Sequence, residues 1–195
     1  MSIETLPIIK KLDPQSIEYQ LALQAAPVLK GIKIANLILI LTGREDSFYP
    51  LVTELGLSAF KLGTVDEKTV FLLYRRKMLE KYLRIEDNLS FLRKMGYEEN
   101  DLYLMLKKLS ERYLDCTLRG EQFPHEMGIF LGYPLDDVQA FIQNKGRNYL
   151  LVGHWMVYFD LEAKKRIFES YDRAQEEMFR QMAKGHGLKE LCLIS

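Results

Sequence analysis

Two of the chain's three histidines and its one tryptophan fall within residues 123–160, FPHEMGIFLGYPLDDVQAFIQNKGRNYLLVGHWMVYFD. Adjacent His125 and Glu126 are the first candidates for chemistry, because an imidazole and a carboxylate in reach of one atom can relay a proton as an acid/base pair. A plainer reading is a capped helix start. Pro124 suits the first helical position, and a carboxylate in the first turn is favoured by the helix dipole. A zinc protease of the His-Glu-x-x-His type needs a second histidine three residues after the glutamate. Position 129 is Ile and position 130 is Phe, so that class is excluded.

Other chemistries find less support. A structural zinc site takes four Cys, His or acidic ligands, usually in close pairs. Cys116 and Cys192 are far apart and the histidines are scattered, so no metal and no cofactor are expected. No glycine-rich phosphate loop, Gly-x-Gly-x-x-Gly or Gly-x-Ser-x-Gly occurs. A Cys116–His dyad stays open, since such partners meet in space rather than in sequence.

Gly128, Gly132 and Val138, with apolar Met127, Leu131 and Phe141, fit the spacing of a helix-turn-helix. Its second helix would begin Pro-Leu-Asp136-Asp137 and offers no cation before Lys145, whereas affinity for DNA rests on cations against phosphates. A tight αα-corner is the favoured reading, with Gly128 and Gly132 against neighbouring backbone, and duplex DNA is not an expected partner. Lys30, Lys33, Arg75, Arg76, Lys145 and Arg147 lie near glycines or element ends. There they either converge on an anion or complement helix C-termini. Trp155 and Tyr158 either pack in the core or stack on a ligand.

These residues must be positioned by an ordinary globular chain. Of its 195 residues 48% are hydrophobic and 28% charged, and 27 Lys+Arg balance 27 Asp+Glu. No global field draws it to nucleic acid or anionic lipid. The longest apolar run, Leu37–Leu41, is far short of the roughly 20 residues of a membrane span, and the N-terminus lacks the pattern of a secretory signal. Two thiols without such a signal point to a reduced, cytoplasmic protein with no membrane partner.

Periodicity predicts an α+β fold, a single domain over residues 1–195 with several helices on a small, mostly antiparallel sheet. A helix follows Asp13-Pro14 and stops before Pro27 or at Gly31. Another covers Phe48–Leu55 and ends at Gly56. Strands are expected over 36–41, 58–62, 69–74 and 149–159, with the segment GTVDEKT as the loop joining the second and third. Residues 75–115 turn helical in three stripes, the last two punctuated by Gly96-Tyr97 and the acidic EEND box at 98–101. Helices over 124–132 and 135–145 form the corner, and Ala163–Lys184 is a closing helix ended by Gly185 and Gly187.

APVLKGIKIANL (26–37), LLYRRKMLEKYL (72–83), FLRKMGY (91–97), the 123–160 stretch and the closing helix through Phe168 and Tyr171 fall in order along the chain. Together they make it resemble the bacterial domain-of-unknown-function family 3793 over nearly its full length. The FPHE-G-FLGYP-DV-FI-N-G-W-VY signature is specific. The resemblance implies a small cytoplasmic bacterial protein with a link to iron or redox homeostasis that no residue here demonstrates. The family pattern often carries Cys where this chain has Ala25 and Ala174, so any chemistry needing those thiols is absent.

By the resemblance, ligand-binding candidates are Lys30, Lys33, Tyr74, Arg75, Tyr133, Asp137, Asn144, Gly146, Trp155 and Tyr158, beside His125 and Glu126. The expected function is that of a non-enzymatic binding or accessory protein, engaging a small ligand or a protein partner through the 123–160 surface. An enzyme of unrecognised type using His125 and Glu126, with Lys33 or Tyr74, is the first alternative. A helix-turn-helix-like nucleic-acid binder is a disfavoured second. His125 and Glu126 are expected to border a concavity shared with the Pro27–Lys33 segment or the Trp155–Tyr158 strand.

Overall fold

Every residue from Thr69 to Tyr74 is buried, which requires a strand covered on both faces. The computed structural model describes residues 13–98 and 101–193 and shows how that covering is built. In chain order the elements are α1 (Ile17–Leu29), β1 (Ala35–Leu41), α2 (Glu45–Glu54), β2 (Ser58–Val65), β3 (Lys68–Tyr74), α3 (Arg76–Leu83) and α4 (Glu86–Lys94). They continue with α5 (Leu102–Arg119), α6 (Met127–Phe130), α7 (Leu135–Asn144), β4 (Leu151–Val152), β5 (Met156–Val157), α8 (Leu161–Met182) and α9 (Leu188–Leu193).

The main sheet is antiparallel in the order β1-β3-β2. Side chains alternate along a strand, so Phe71 and Leu73 point to one face and Val70, Leu72 and Tyr74 to the other. The first face joins Ile38 and Ile40 to α1, α2, α9 and the end of α8 in one core. The second joins Ala35 and Leu62 to α3, α4, α5, α6 and α7. A third, smaller cluster of Trp155, Val157, Phe168 and Tyr171 ties the β4–β5 hairpin to α8. The result is an α+β domain with a helical layer on each side of the sheet.

A side chain engages the backbone of each edge strand, which blunts it against open strand pairing. On β1, the Gln24 side chain of α1 acts as a short extra strand: its Nε2 donates to Leu39 O (3.2 Å) and its Oε1 accepts from Leu39 N (2.9 Å). On β2, the register shifts between Lys61 and Gly63, and Ser110 Oγ of α5 donates to Leu62 O (2.7 Å). A Cβ on Gly63 would lie 2.5 Å from Leu114 Cδ2, so the glycine lets the Leu114 side chain of α5 pack directly on this edge.

Several sequence expectations are corrected. Helix α1 does not stop before Pro27; it runs through it to Leu29 and ends at the other expected stop, with Lys30 as its cap and Gly31 left-handed behind it (φ +73°). A mid-helix proline leaves the carbonyl four residues back without its donor, and here Gln175 of α8 donates to that Leu23 carbonyl (2.5 Å). The GTVDEKT segment is largely strand, because β2 and β3 run on to a turn at Asp66 (φ 53°) and Glu67. Residues 149–159 are not a strand of the main sheet. They fold back on themselves as β4 and β5, in a separate two-stranded sheet. Gly153 permits the turn, and a Cβ there would strike Phe168 at 2.3 Å.

Pro124 is not at a helix start either. Residues 124–126 form a turn whose carbonyls accept from Met127, Gly128 and Ile129, and α6 spans four residues. Within the EEND box, Glu99 and Asn100 lie outside the described residues. Asp101 caps α5, accepting from Leu104 N at 3.0 Å. Helix α9 is too short to show a helical period in the sequence, and Leu188, Leu191 and Cys192 carry its buried face. Among the described residues no helix is long and apolar enough to cross a membrane.

Candidate functional site

The corner between α6 and α7 turns on Gly132, whose φ of +77° is left-handed and disfavours a Cβ. Tyr133 N closes the corner by donating to Gly128 O (2.8 Å). The two glycines face side chains rather than the backbone that was expected. A Cβ on Gly128 would lie 2.7 Å from Val138 Cγ2, and one on Gly132 3.0 Å from Ile34 Cδ1. That close fit brings the first turn of α7 up to the β4–β5 hairpin.

Asp137, in that first turn, is buried and holds the hairpin in place. Its Oδ2 accepts the Trp155 indole N–H (2.8 Å), and its Oδ1 accepts the backbone N–H groups of Tyr158 (2.8 Å) and Phe159 (3.2 Å). Lys164 Nζ stands 3.9 Å from Oδ2. A buried carboxylate is tolerated only when hydrogen-bonded in this way. The orientation it imposes stacks Trp155 on Tyr133 (centroids 5.1 Å apart, 28° between planes) and sets it edge-on to Phe168 (4.6 Å).

The stacked pair forms one wall of a pocket of about 440 Å³. Leu37 of β1, Met127 and Leu131 of α6 and its flank, Val138 and Phe141 of α7, Phe123 and Met156 complete an almost wholly apolar lining. His125 also lines it, half-buried, with the rings of Phe123 and Phe141 at 5.9 and 5.1 Å. Neither imidazole nitrogen has a hydrogen-bond partner among the described residues. The Asp137 carboxylate on the wall is already engaged by three N–H donors, whereas the His125 imidazole is free to bind a guest.

Glu126 does not share the concavity. Its carboxylate is 2% exposed, 2.5 Å from Arg112 Nε, and accepts from the Tyr97 hydroxyl (3.0 Å). Burial, followed by the Glu126 charge, raises the Tyr97 phenol above its usual range. Successive residues point about 100° apart on a helical turn, and the two members of the expected acid/base pair are accordingly divided between pocket and core. The Pro27–Lys33 segment does not line the pocket; β1 reaches it through Leu37.

The remaining candidates separate by place. Tyr133, Asp137 and Trp155 meet at the pocket, and Tyr158 is tied to Asp137 just behind it. Gly146, at φ +69°, backs Phe141. Asn144 Nδ2 donates to Ala140 O (2.8 Å) at the end of α7. Arg75 donates to Val28 O (2.8 Å) and Leu29 O (2.7 Å), and Lys30 donates to Leu191 O (3.1 Å), so both complement helix ends as cations there do. Tyr74 is buried on the opposite face of β3 from α1, and burial raises its phenol. Lys33 is buried beyond Tyr133, its Nζ 5.5 Å from that ring. Phe123 and Phe141 were not foreseen as site residues; isolated aromatics at helical spacing look like core.

Among the described residues no group of three or more His, Cys, Asp or Glu side chains could hold a metal ion. The family described as Protein of unknown function (DUF3793) matches residues 21–192. No curated protein and no solved structure matches the chain.

Proposed function

We propose that this chain, which belongs to the DUF3793 family, is a binding protein for a small, flat, largely apolar molecule carrying one hydrogen-bonding group. The observation that carries the reading is the pocket itself: about 440 Å³ of apolar space beside a Trp155–Tyr133 wall, with an unpartnered imidazole at His125. Small-molecule sites typically span roughly 300–1,000 Å³ and pair an apolar lining with a few placed polar groups. A planar aromatic guest extends the stack on Trp155. Its hydroxyl or carbonyl meets His125, which as a neutral imidazole both donates and accepts. Catalysis by His125 and Glu126 together has less support, because a catalytic pair must reach one atom and the Glu126 carboxylate is engaged by Arg112 and Tyr97.

Trp155 is the one tryptophan of the chain, so a ¹H–¹⁵N spectrum carries one indole resonance as a reporter. Titration with 2-naphthol should shift that resonance saturably and more strongly than 2-methylnaphthalene does. His125→Phe should erase the difference while the stack still binds both. An indole resonance unmoved by either compound would overturn the reading.

A further inference from the structure

Lys33 lies on the connection from α1 to β1, and its side chain turns inward: the residue is 6% exposed. Nζ donates to Asn36 Oδ1 at 2.5 Å. Asn36 is itself fixed, because its Nδ2 donates to the Gln24 carbonyl. The rings of Tyr133 and Tyr171 lie 5.5 and 5.8 Å from Nζ. No carboxylate among the described residues pairs with it.

A lysine almost never loses its water without a counter-ion. An ammonium also brings three N–H donors, and this cage supplies one oxygen acceptor and two ring faces. The ring faces attract the cation, but with no counter-ion the neutral amine is reached at lower pH than in an exposed lysine, and Asn36 then takes one of its N–H groups. Desolvation acts in the same direction and brings the amine down to about 8 from 10.5. The two phenols cannot serve as counter-ions, since burial pushes Tyr133 and Tyr171 each up to about 12.

The Tyr171 ring that faces Nζ also meets the His154 ring edge-on at 5.0 Å. His154 Nε2 is 3.4 Å from Asp172 Oδ1, and both residues line a groove of about 400 Å³ between the β4–β5 hairpin and α8. Burial, then the Lys33 charge, lowers the His154 pKa, with Asp172 opposing. Lys33, His154 and Asp172 belong to the α1–β1 connection, the hairpin and α8, and Lys33 is not among the residues that line the apolar pocket.

We propose that Lys33 is the nucleophilic amine of a second site, which condenses reversibly with a small aldehyde or ketone entering from the groove lined by His154 and Asp172. The lone pair of Nζ forms the N–C bond as the carbonyl π pair moves onto oxygen. Both nitrogen hydrogens pass to that oxygen, which departs as water, and the nitrogen pair left behind closes the C=N bond of an imine. The step needs no oxidant or reductant, and a desolvated lysine is the form in which proteins use this nucleophile.

The full chain is treated at about pH 7.5 with propionaldehyde and cyanoborohydride, which traps the imine as a propylamine, and each lysine is followed by peptide mass mapping. Lys33 should gain the propyl group on the order of ten-fold faster than exposed lysines, because more of it is the reactive free amine. That preference should vanish in urea. Its rate should rise through about pH 8; the groups facing Nζ are Asn36 of β1, Tyr133 of the corner and Tyr171 of α8, with His154 of the hairpin against the Tyr171 ring and Asp172 of α8 beside His154. Lys33 modified no faster than exposed lysines in the folded chain, as a merely buried amine would be, overturns the proposal. Lys33→Arg, checked for its native circular dichroism, should lose the fast-labelled peptide and no other.

Discussion

Asp137 and Trp155, 18 positions apart, share a 2.8 Å hydrogen bond from the indole N–H to Oδ2, while the other carboxylate oxygen takes the backbone N–H groups of Tyr158 and Phe159. One buried side chain thus fixes the start of α7, the end of the hairpin and the entry to α8. It also sets the plane of the tryptophan that walls the pocket. Stability and site geometry are coupled through this carboxylate.

Replacing Asp137 by Asn tests the coupling at nearly constant volume. An amide has one oxygen and one NH₂, and all three partners of Asp137 are donors. Either amide orientation therefore opposes donor to donor and leaves a buried N–H unpaired, at a cost of about 1–3 kcal/mol. Urea denaturation should report that loss, and Trp155 emission should shift to the red as the hairpin loosens. A change below about 0.5 kcal/mol would mean that the clasp contributes little.

Gly132→Val should destabilise more. The backbone there is left-handed at φ +77°, and the new Cβ would sit 3.0–3.2 Å from the Ile34 side chain. Left-handed strain of roughly 1–2 kcal/mol joins an overpacking penalty of roughly 1–3 kcal/mol. Gly132→Ala with Ile34→Ala relieves the contact and retains the strain, so measuring both variants separates the two contributions. An unchanged melting temperature for Gly132→Val would contradict this account of the corner.

What could be foreseen from the chain follows what physics leaves local. The strand at 69–74 was legible because cover on both faces demands an unbroken apolar run, and α8 because one face of it repeats at helical spacing. The run at 149–159 misled, since Tyr, Val and Trp suit any strand. Its length is set instead by the Gly153 turn and by Asp137 capturing the N–H groups of Tyr158 and Phe159. Asp137 stands out in the sequence as a leading carboxylate of the second helix and, by the resemblance, as a ligand-binding candidate; nothing adjacent to it announces that its partners lie in the hairpin. The signature positions His125, Tyr133 and Trp155 do meet at one pocket. Phe123 and Phe141 were invisible as site residues, and Lys33, His154 and Asp172 meet only through the packing of α8.

Duplex DNA should not bind at physiological salt. Net charge is zero, and the first turn of α7, the segment a helix-turn-helix would present, carries Asp136 and a buried Asp137 committed to Trp155. Cations on phosphates supply most non-specific affinity, and α7 itself carries none. Anisotropy titration of a random duplex is the check, and tight binding that weakens steeply with salt would contradict the expectation.

Lys33 should make stability rise with pH across an unusual range. Below about 8 the amine is protonated in both folded and unfolded chains, and the cost of burying the charge is present in full. Between about 8 and the ordinary 10.5 the unfolded chain holds a proton that the folded chain has released. Unfolding then takes up protons, so its free energy increases as pH rises through this window. Each unit of pKa difference is worth about 1.4 kcal/mol, and since some water still reaches the side chain the gain should be on the order of 1–2 kcal/mol by pH 10. Tyr133 and Tyr171 act oppositely at higher pH, because their folded phenols keep protons to about 12 that unfolded ones release near 10. Subtracting the urea stability of Lys33→Met at each pH cancels the phenols, which both proteins share. The difference curve should climb from pH 8 to 10, whereas a flat curve would mean that the amine titrates as an exposed lysine and that the cage is open to water.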